Sequence, residues 1–221
     1  MQASLAADLL ESIADTCPSR ETIGEGAALL RGFAKPVEAE LITTLREIVE
    51  AAPFRHMSTP GGHRMSVAMT NCGRFGWVTD LSGYRYDRID PESGKPWPPM
   101  PPVLVELAQG AAAEAGFSAF APDACLINRY EPGARMSLHQ DKDEADFAAP
   151  IVSVSLGLPA IFLFGGLKRS DRPRRFRLEH GDVVVWGGPA RLAFHGVAPL
   201  ADGEHGVMGR RRINLTFRRA R

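Results

Sequence analysis

Cysteine is scarce in this chain: three residues in 221, Cys17, Cys72 and Cys125, widely spaced and odd in number. That excludes a disulfide framework and any Cys-x-x-Cys zinc site, and it makes a reducing, cytoplasmic location the expected one. Long apolar runs are also lacking. The longest stretch, Ile151 to Leu167, is broken by serines, glycines and Pro159 and falls short of a membrane span. The first residues, MQASLAADLLESIADTC, hold acids where an export signal needs an early basic cluster, so no leader and no membrane role are expected. Excess charge of either sign is missing, with 26 basic side chains against 26 acidic ones. This balance argues against a protein that coats nucleic acid by bulk charge.

The balance hides an asymmetry. Residues 1–60 hold 5 basic and 9 acidic side chains, residues 61–167 hold 8 and 12, and residues 168–221 hold 13 and 5, a net of +8. The C-terminal quarter can therefore face something anionic, or simply present a basic solvated surface. With 44% hydrophobic residues the chain can bury a sizeable core without cross-links. A monomer is the default expectation.

Residues 1–30 are Ala/Leu/Glu-rich without a strong period and read as an N-terminal arm. Pro36 opens an amphipathic helix, VEAELITTLREIVEAA, that Pro53 closes. Residues 54–102 concentrate Gly, Pro, Met and aromatics, which reads as a hairpin or lid of the kind that carries binding residues. Val103 to Phe117 is a second helix. From Ala124 onward eight short strands follow: ACLINRY, ARMSLHQD, IVSVSLG, AIFLFGG, RRFRLEH, DVVVWGG, LAFHGVAP and RINLTFRR. Strands at this spacing predict a two-sheet jelly roll or small barrel, not a parallel sheet. The expected division is an arm at 1–30 and one domain at 31–221, with helices and lid at 31–123 and the catalytic core at 124–218. The fold class is mainly β with flanking helices (α+β).

His139-Gln140-Asp141 places an imidazole and a carboxylate two residues apart on a strand, where both can meet one metal. His195 follows 54 residues on, in Phe194-His195-Gly196-Val197. Two imidazoles and one carboxylate form the facial triad of non-haem Fe(II) oxygenases. Six His and 12 Asp in the chain give roughly a third of one His-x-Asp match by chance, so the pattern alone is weak. The closing strand sharpens it. Arg212, Asn214, Thr216 and Arg218 share one face, Ile213, Leu215 and Phe217 the other. If the polar face lines the interior, two guanidiniums can grip a dicarboxylate. Asn128 and Tyr130 lie at i, i+2 on an earlier strand and suit the same ligand.

The motifs NRYEPGARMSLHQDKDE, FHGV and RINLTFR, together with WVTDLSGYRY upstream, resemble the AlkB family of Fe(II)/2-oxoglutarate-dependent dioxygenases, which repair alkylated nucleic acid. The resemblance covers all but the first thirty or so residues. It implies a double-stranded β-helix (jelly-roll) core with a nucleotide-recognition hairpin on its N-terminal side. It implies that His139, Asp141 and His195 ligate Fe(II), and that 2-oxoglutarate and O2 are co-substrates. Arg212 would pair with the distal carboxylate of 2-oxoglutarate, assisted by Tyr130 and Asn214, while Arg218 and Asn128 hold the metal-chelating end. Trp77 would stack on a flipped base opposite His139. Tyr84, Arg85 and Tyr86 would contact the nucleotide beside it, Asp143 and Glu144 would sit near the exocyclic amine, and Lys142 and Arg169 would touch the backbone. The implied reaction is demethylation of 1-methyladenine or 3-methylcytosine in DNA, single-stranded by expectation, with RNA also open. Succinate, CO2 and formaldehyde are released. RNA, a protein side chain or a small molecule is the alternative substrate for the same chemistry, and a non-catalytic jelly roll with a structural metal is a third reading. Trp97, Trp186, Cys72 and Cys125 are read as structural, and the arginines from Arg169 to Arg177 as a solvated hairpin.

Overall fold

The computed structural model describes residues 19–221, so the part of the expected arm at 1–18 lies outside the described residues. The strands are β1 (Arg20–Gly24), β2 (Ala27–Leu30), β3 (Ala68–Gly73), β4 (Gly76–Asp80), β5 (Gly83–Asp87), β6 (Ala124–Tyr130), β7 (Met136–His139), β8 (Ile151–Gly157), β9 (Ala160–Phe164), β10 (Arg174–Leu178), β11 (Val183–Trp186), β12 (His195–Val197) and β13 (Arg212–Arg218). The two α-helices are α1 (Glu38–Ala51) and α2 (Pro102–Glu114). The large sheet runs β1-β2-β11-β8-β13-β6-β3, the small sheet β10-β9-β12-β7, and β4-β5 stand apart as a hairpin.

Strand periodicity explains how these layers stack. On β11, Val183 and Val185 point into the core shared with the helices, while Val184 and Trp186 point into the core shared with the small sheet. The strand is thus buried on both faces, which is why VVVW shows no alternation in the sequence. On β13, Ile213, Leu215 and Phe217 pack outward against the helices. Arg212, Asn214, Thr216 and Arg218 therefore point inward, toward the small sheet, and all seven residues of the strand are buried. The polar face lines the interior of a jelly roll.

Helix α1 lays Leu41, Thr44, Leu45 and Ile48 against the large sheet at i, i+3, i+4, i+7 spacing. Pro102 starts α2 at the first turn, and its Leu104, Ala108 and Ala111 are fully buried. These helices shield the outer face, so the inner face is left to build a site.

Two expectations are corrected here. Residues 20–30 are not an arm: β1 and β2 form an antiparallel ribbon, and β2 pairs with β11 inside the large sheet. Leu29 and Leu30 are fully buried, so a four-residue strand covered on both sides gives neither alternation nor length to read. The core also extends beyond 124–218 on its other flank. Ala68–Gly73, within the segment read as lid, is the edge strand β3 paired to β6. The hairpin itself is present as β4-β5, and the eight strands read from Ala124 onward are β6 to β13.

Candidate active site

The small sheet sets the first half of the site. Strands β7 and β12 are antiparallel neighbours with His139 directly opposite His195, so both imidazoles leave the sheet on its inner face, 4.4 Å apart. Gly196 permits this approach, because a Cβ there would stand 2.7 Å from the Met136 carbonyl oxygen. Asp141 follows two residues beyond His139. Its Oδ1 lies 3.5 Å from His139 Nε2 and 3.8 Å from His195 Nε2.

Each ring is oriented by its other nitrogen. His139 Nδ1 lies 2.8 Å from the Ser137 carbonyl, and His195 Nδ1 lies 3.0 Å from the Ala193 carbonyl. A carbonyl only accepts, so both Nδ1 atoms carry the proton and both Nε2 lone pairs face Asp141. This is the tautomer a metal requires, with the outer hydrogen bond in place. Burial pushes the His195 pKa down, the neighbouring His139 adds to this and Asp141 opposes it, leaving a value of about 4. The ring is therefore neutral near pH 7 and open to a cation. The ligand atoms of His139, Asp141 and His195 all lie within 4.8 Å of one another, and no other such His/Cys/Asp/Glu group occurs among the described residues. The donor set, two imidazoles and one carboxylate on one side of the ion, fits Fe(II) with positions left open.

The large sheet supplies the second half. Register places Arg212 opposite Tyr130 and Asn214 opposite Asn128 across β13 and β6. Arg212 is 1% exposed, donates through Nη2 to Ser155 Oγ at 2.9 Å and stands 5.0 Å over the Tyr130 ring. Its Nε and Nη1 are buried without partners, as is Asn128 Oδ1. A buried guanidinium with donors on two of its nitrogens unmet costs several kcal/mol unless an anion meets it. A carboxylate accepting a charge-assisted hydrogen bond from one of these free donors is the matching group. That is the observation by which 2-oxoglutarate fits here. Asn214 is differently employed: its Nδ2 donates to Ser153 Oγ and the Val154 carbonyl, and its Oδ1 accepts from Thr216. It braces β13 against β8.

Arg218 joins the two halves. Its Nε and Nη2 reach Asp141 Oδ2 at 2.8 and 2.5 Å. Burial alone raises the Asp141 pKa, but Arg218 and then the two imidazoles outweigh it and hold the carboxyl well below its ordinary range. Arg218, expected at the chelating end of 2-oxoglutarate, has this contact with the metal ligand as its principal one.

A cavity of about 960 Å³ opens over His139 and Asp141. Trp77 and Tyr84 stack across its rim, 5.7 Å apart at 21°, and Trp77 Nε1 donates to Asp143 Oδ2 at 2.9 Å. Lys142, Asp143 and Arg169 also line it. Three residues expected at the nucleotide are placed elsewhere. Arg85 is held by Asp80 at 2.9 Å beside the hairpin. Tyr86 and Glu144 are buried together, the phenol donating to Glu144 Oε1 at 2.6 Å. Burial raises the Tyr86 pKa well above its ordinary value, which keeps the donor protonated. Glu144 also receives Arg191 Nη2 at 3.0 Å and faces Arg218 Nε at 3.3 Å, with its carboxylate turned from the cavity.

Arg191 was not read from the sequence. It is 3% exposed and donates to the Ala149 and Asp141 carbonyls as well as to Glu144, clamping the ligand loop from below. Nothing in GGPARL distinguishes it from a surface arginine. Trp186, read as core, packs its ring 4.8 Å from that of His195.

A sandwich with a His/Asp/His cluster on one sheet and a carboxylate-seeking arginine on the other defines the class, and the chain belongs to the 2OG-Fe(II) oxygenase superfamily, whose family model matches residues 26–218. Among characterised proteins it is similar to the alpha-ketoglutarate-dependent dioxygenase AlkB of Escherichia coli K12, 57% identical over 96% of this chain and 98% of that protein. It is 31% identical to the DNA N(6)-methyladenine demethylase ALKBH1D of Arabidopsis thaliana over 90% of this chain and 50% of that protein. The solved structure of OsALKBH1 superposes with a TM-score of 0.79 at 28% identity, covering 91% of this chain and all of that one. The chain is accordingly a dioxygenase that uses Fe(II) and 2-oxoglutarate, and no helix among the described residues is long and apolar enough to cross a membrane.

Proposed function

We propose that this enzyme removes N-linked methyl groups from 1-methyladenine and 3-methylcytosine in single-stranded DNA, and from the same bases in RNA. It consumes 2-oxoglutarate and O2 and releases succinate, CO2 and formaldehyde. The observation that carries the reading is the Trp77–Tyr84 stack, anchored by the Trp77–Asp143 hydrogen bond, in the wall of the cavity that His139 and Asp141 also line. Enzymes that act on a base take it out of the stack and hold it between flat side chains. Trp77 and His139 line one cavity, and a flipped base entering it would lie between them. Asp143 keeps one carboxylate oxygen for the base edge, where negative charge favours a cationic methylated base over its neutral parent.

Fe(II), when bound, supplies with O2 the oxidising power for methyl hydroxylation, coupled to decarboxylation of 2-oxoglutarate. The protein's part is placement. His139, Asp141 and His195 would hold the ion and Arg212 and Tyr130 would seat the distal carboxylate, while Arg218 fixes the Asp141 carboxylate through Oδ2 and leaves Oδ1 toward the imidazoles. The buried cradle excludes water from the cosubstrate.

The test is an oligonucleotide with a single 3-methylcytosine, given Fe(II), 2-oxoglutarate and O2. Formaldehyde release that needs all three, with equal loss of the lesion, is the expected result. Succinate without formaldehyde would replace the nucleic acid by another substrate, and neither product with iron bound would overturn the reading.

A further inference from the structure

The β9–β10 connection and the following strand, residues 168–177, carry six cations, Lys168, Arg169, Arg172, Arg174, Arg175 and Arg177, against a single acid, Asp171. All six are exposed. Two are engaged within the protein. Arg177 pairs with Glu179 at 2.5 Å, and Arg174 lies 4.8 Å over Phe176 and donates to the Ile23 carbonyl. Asp171 turns its carboxylate back to the Lys168 amide at 3.0 Å. Among the described residues, Lys168, Arg169, Arg172 and Arg175 have no carboxylate within 4.0 Å. Exposed arginines without a carboxylate partner occur elsewhere too, Arg46, Arg64 and Arg135 among them, but singly; what sets this segment apart is six cations within ten residues.

The strip begins at the reaction site. Arg169 lines the cavity, donates to the Leu138 carbonyl at 3.0 Å and lies 5.9 Å over Phe194. Register then gives the strip a direction. His139, His195, Phe164 and Arg174 form one row across β7, β12, β9 and β10. Three strand spacings put β10 about 14 Å from His139. Arg175, next along, points to the opposite face from Arg174 and so to the outside of the sandwich. Four like charges held open on this side attract a polyanion, and about 14 Å is long enough to meet backbone phosphates beyond the flipped nucleotide.

We propose that Lys168, Arg169, Arg172 and Arg175 form a phosphate track for the nucleic acid strand that continues from the flipped nucleotide. The track holds backbone without reading bases. The inference rests on the nucleic-acid reading above and extends it to substrate length. The test compares the wild type with the double variant Arg172→Glu/Arg175→Glu, neither residue being part of the metal, cosubstrate or base sites. A lesion-bearing trinucleotide and a lesion-bearing 15-mer serve as substrates, and binding of a lesion-free fluorescent 15-mer is titrated by anisotropy against salt. The expected result is a KM for the 15-mer raised roughly tenfold, with the trinucleotide unaffected. The plot of log affinity against log salt should become shallower by about 1.4, at ~0.7 per phosphate contact on a single strand. An unchanged 15-mer KM and salt slope would overturn the track. If the wild type demethylates neither substrate, the proposed function fails, and the salt slope alone then decides for or against the strip.

Discussion

Asp141 divides its carboxylate between two tasks, Oδ1 toward the imidazoles and Oδ2 into the Arg218 fork. Asp141→Ala removes a ligand and strands Arg218. Metal titration should then show affinity lower by at least tenfold, with turnover abolished and far-UV circular dichroism retained. Arg212 makes a more selective case. Arg212→Lys keeps the charge but loses the fork. A charge-assisted hydrogen bond contributes ~1.5–3 kcal/mol, so KM for 2-oxoglutarate should rise roughly 10- to 150-fold with little change in kcat. His195 gives a pH signature in the metal-free protein. Its value is about 4 when folded against 6.5 for the free side chain, so the unfolded chain takes up the proton first. That contribution is fully present above pH 6.5 and is lost as pH falls toward 4, to a total of about 3 kcal/mol. Urea midpoints across this window should fall for the wild type and stay flatter for His195→Gln. The His139/Asp141/His195 cluster and the inward polar face of Arg212–Arg218 were legible in the sequence, spacing suggesting them weakly and the family resemblance assigning their roles. Glu144, Tyr86 and Arg191 were not, because partners 58 and 47 residues apart leave no local pattern.

Hairpin β4-β5 is tied to the ligand loop at two of its three aromatic positions, Trp77 through Asp143 and Tyr86 through Glu144. Trp77→Ala should raise KM for the lesion oligonucleotide by roughly 5- to 150-fold, the range for one base–aromatic stack, while KM for 2-oxoglutarate stays unchanged. Steady-state assays varying each substrate separately check this. Ribbon β1-β2 shows where sequence reading stopped. The run AALL holds four residues, all buried, between a turn glycine and Arg31. It gives no period, and only its pairing with β11 explains it. A chain begun at residue 31 removes β2 from the edge of β11 and exposes the backbone of Val183–Trp186. Such an apolar, unpaired edge invites self-association. Size-exclusion chromatography should show aggregates, whereas a chain begun at residue 19, which keeps β1 and β2, should elute without them.

At the scale of the molecule, the two sheets have separate duties. The small sheet carries His139 and His195 and, just past its end, Asp141; the large sheet carries Arg212, Tyr130 and Arg218. The Asp141–Arg218 pair crosses between them at the site, and Phe162, Phe164 and Trp186 pack the space alongside. Interiors this dense pass small displacements on without absorbing them. The active centre therefore works as a mortise between two boards, and its fit is set by the thickness of the joint. A core residue that touches neither metal nor cosubstrate, such as Phe164, is in this sense a spacer: thinning it would detune the chemistry before it unfolded the chain.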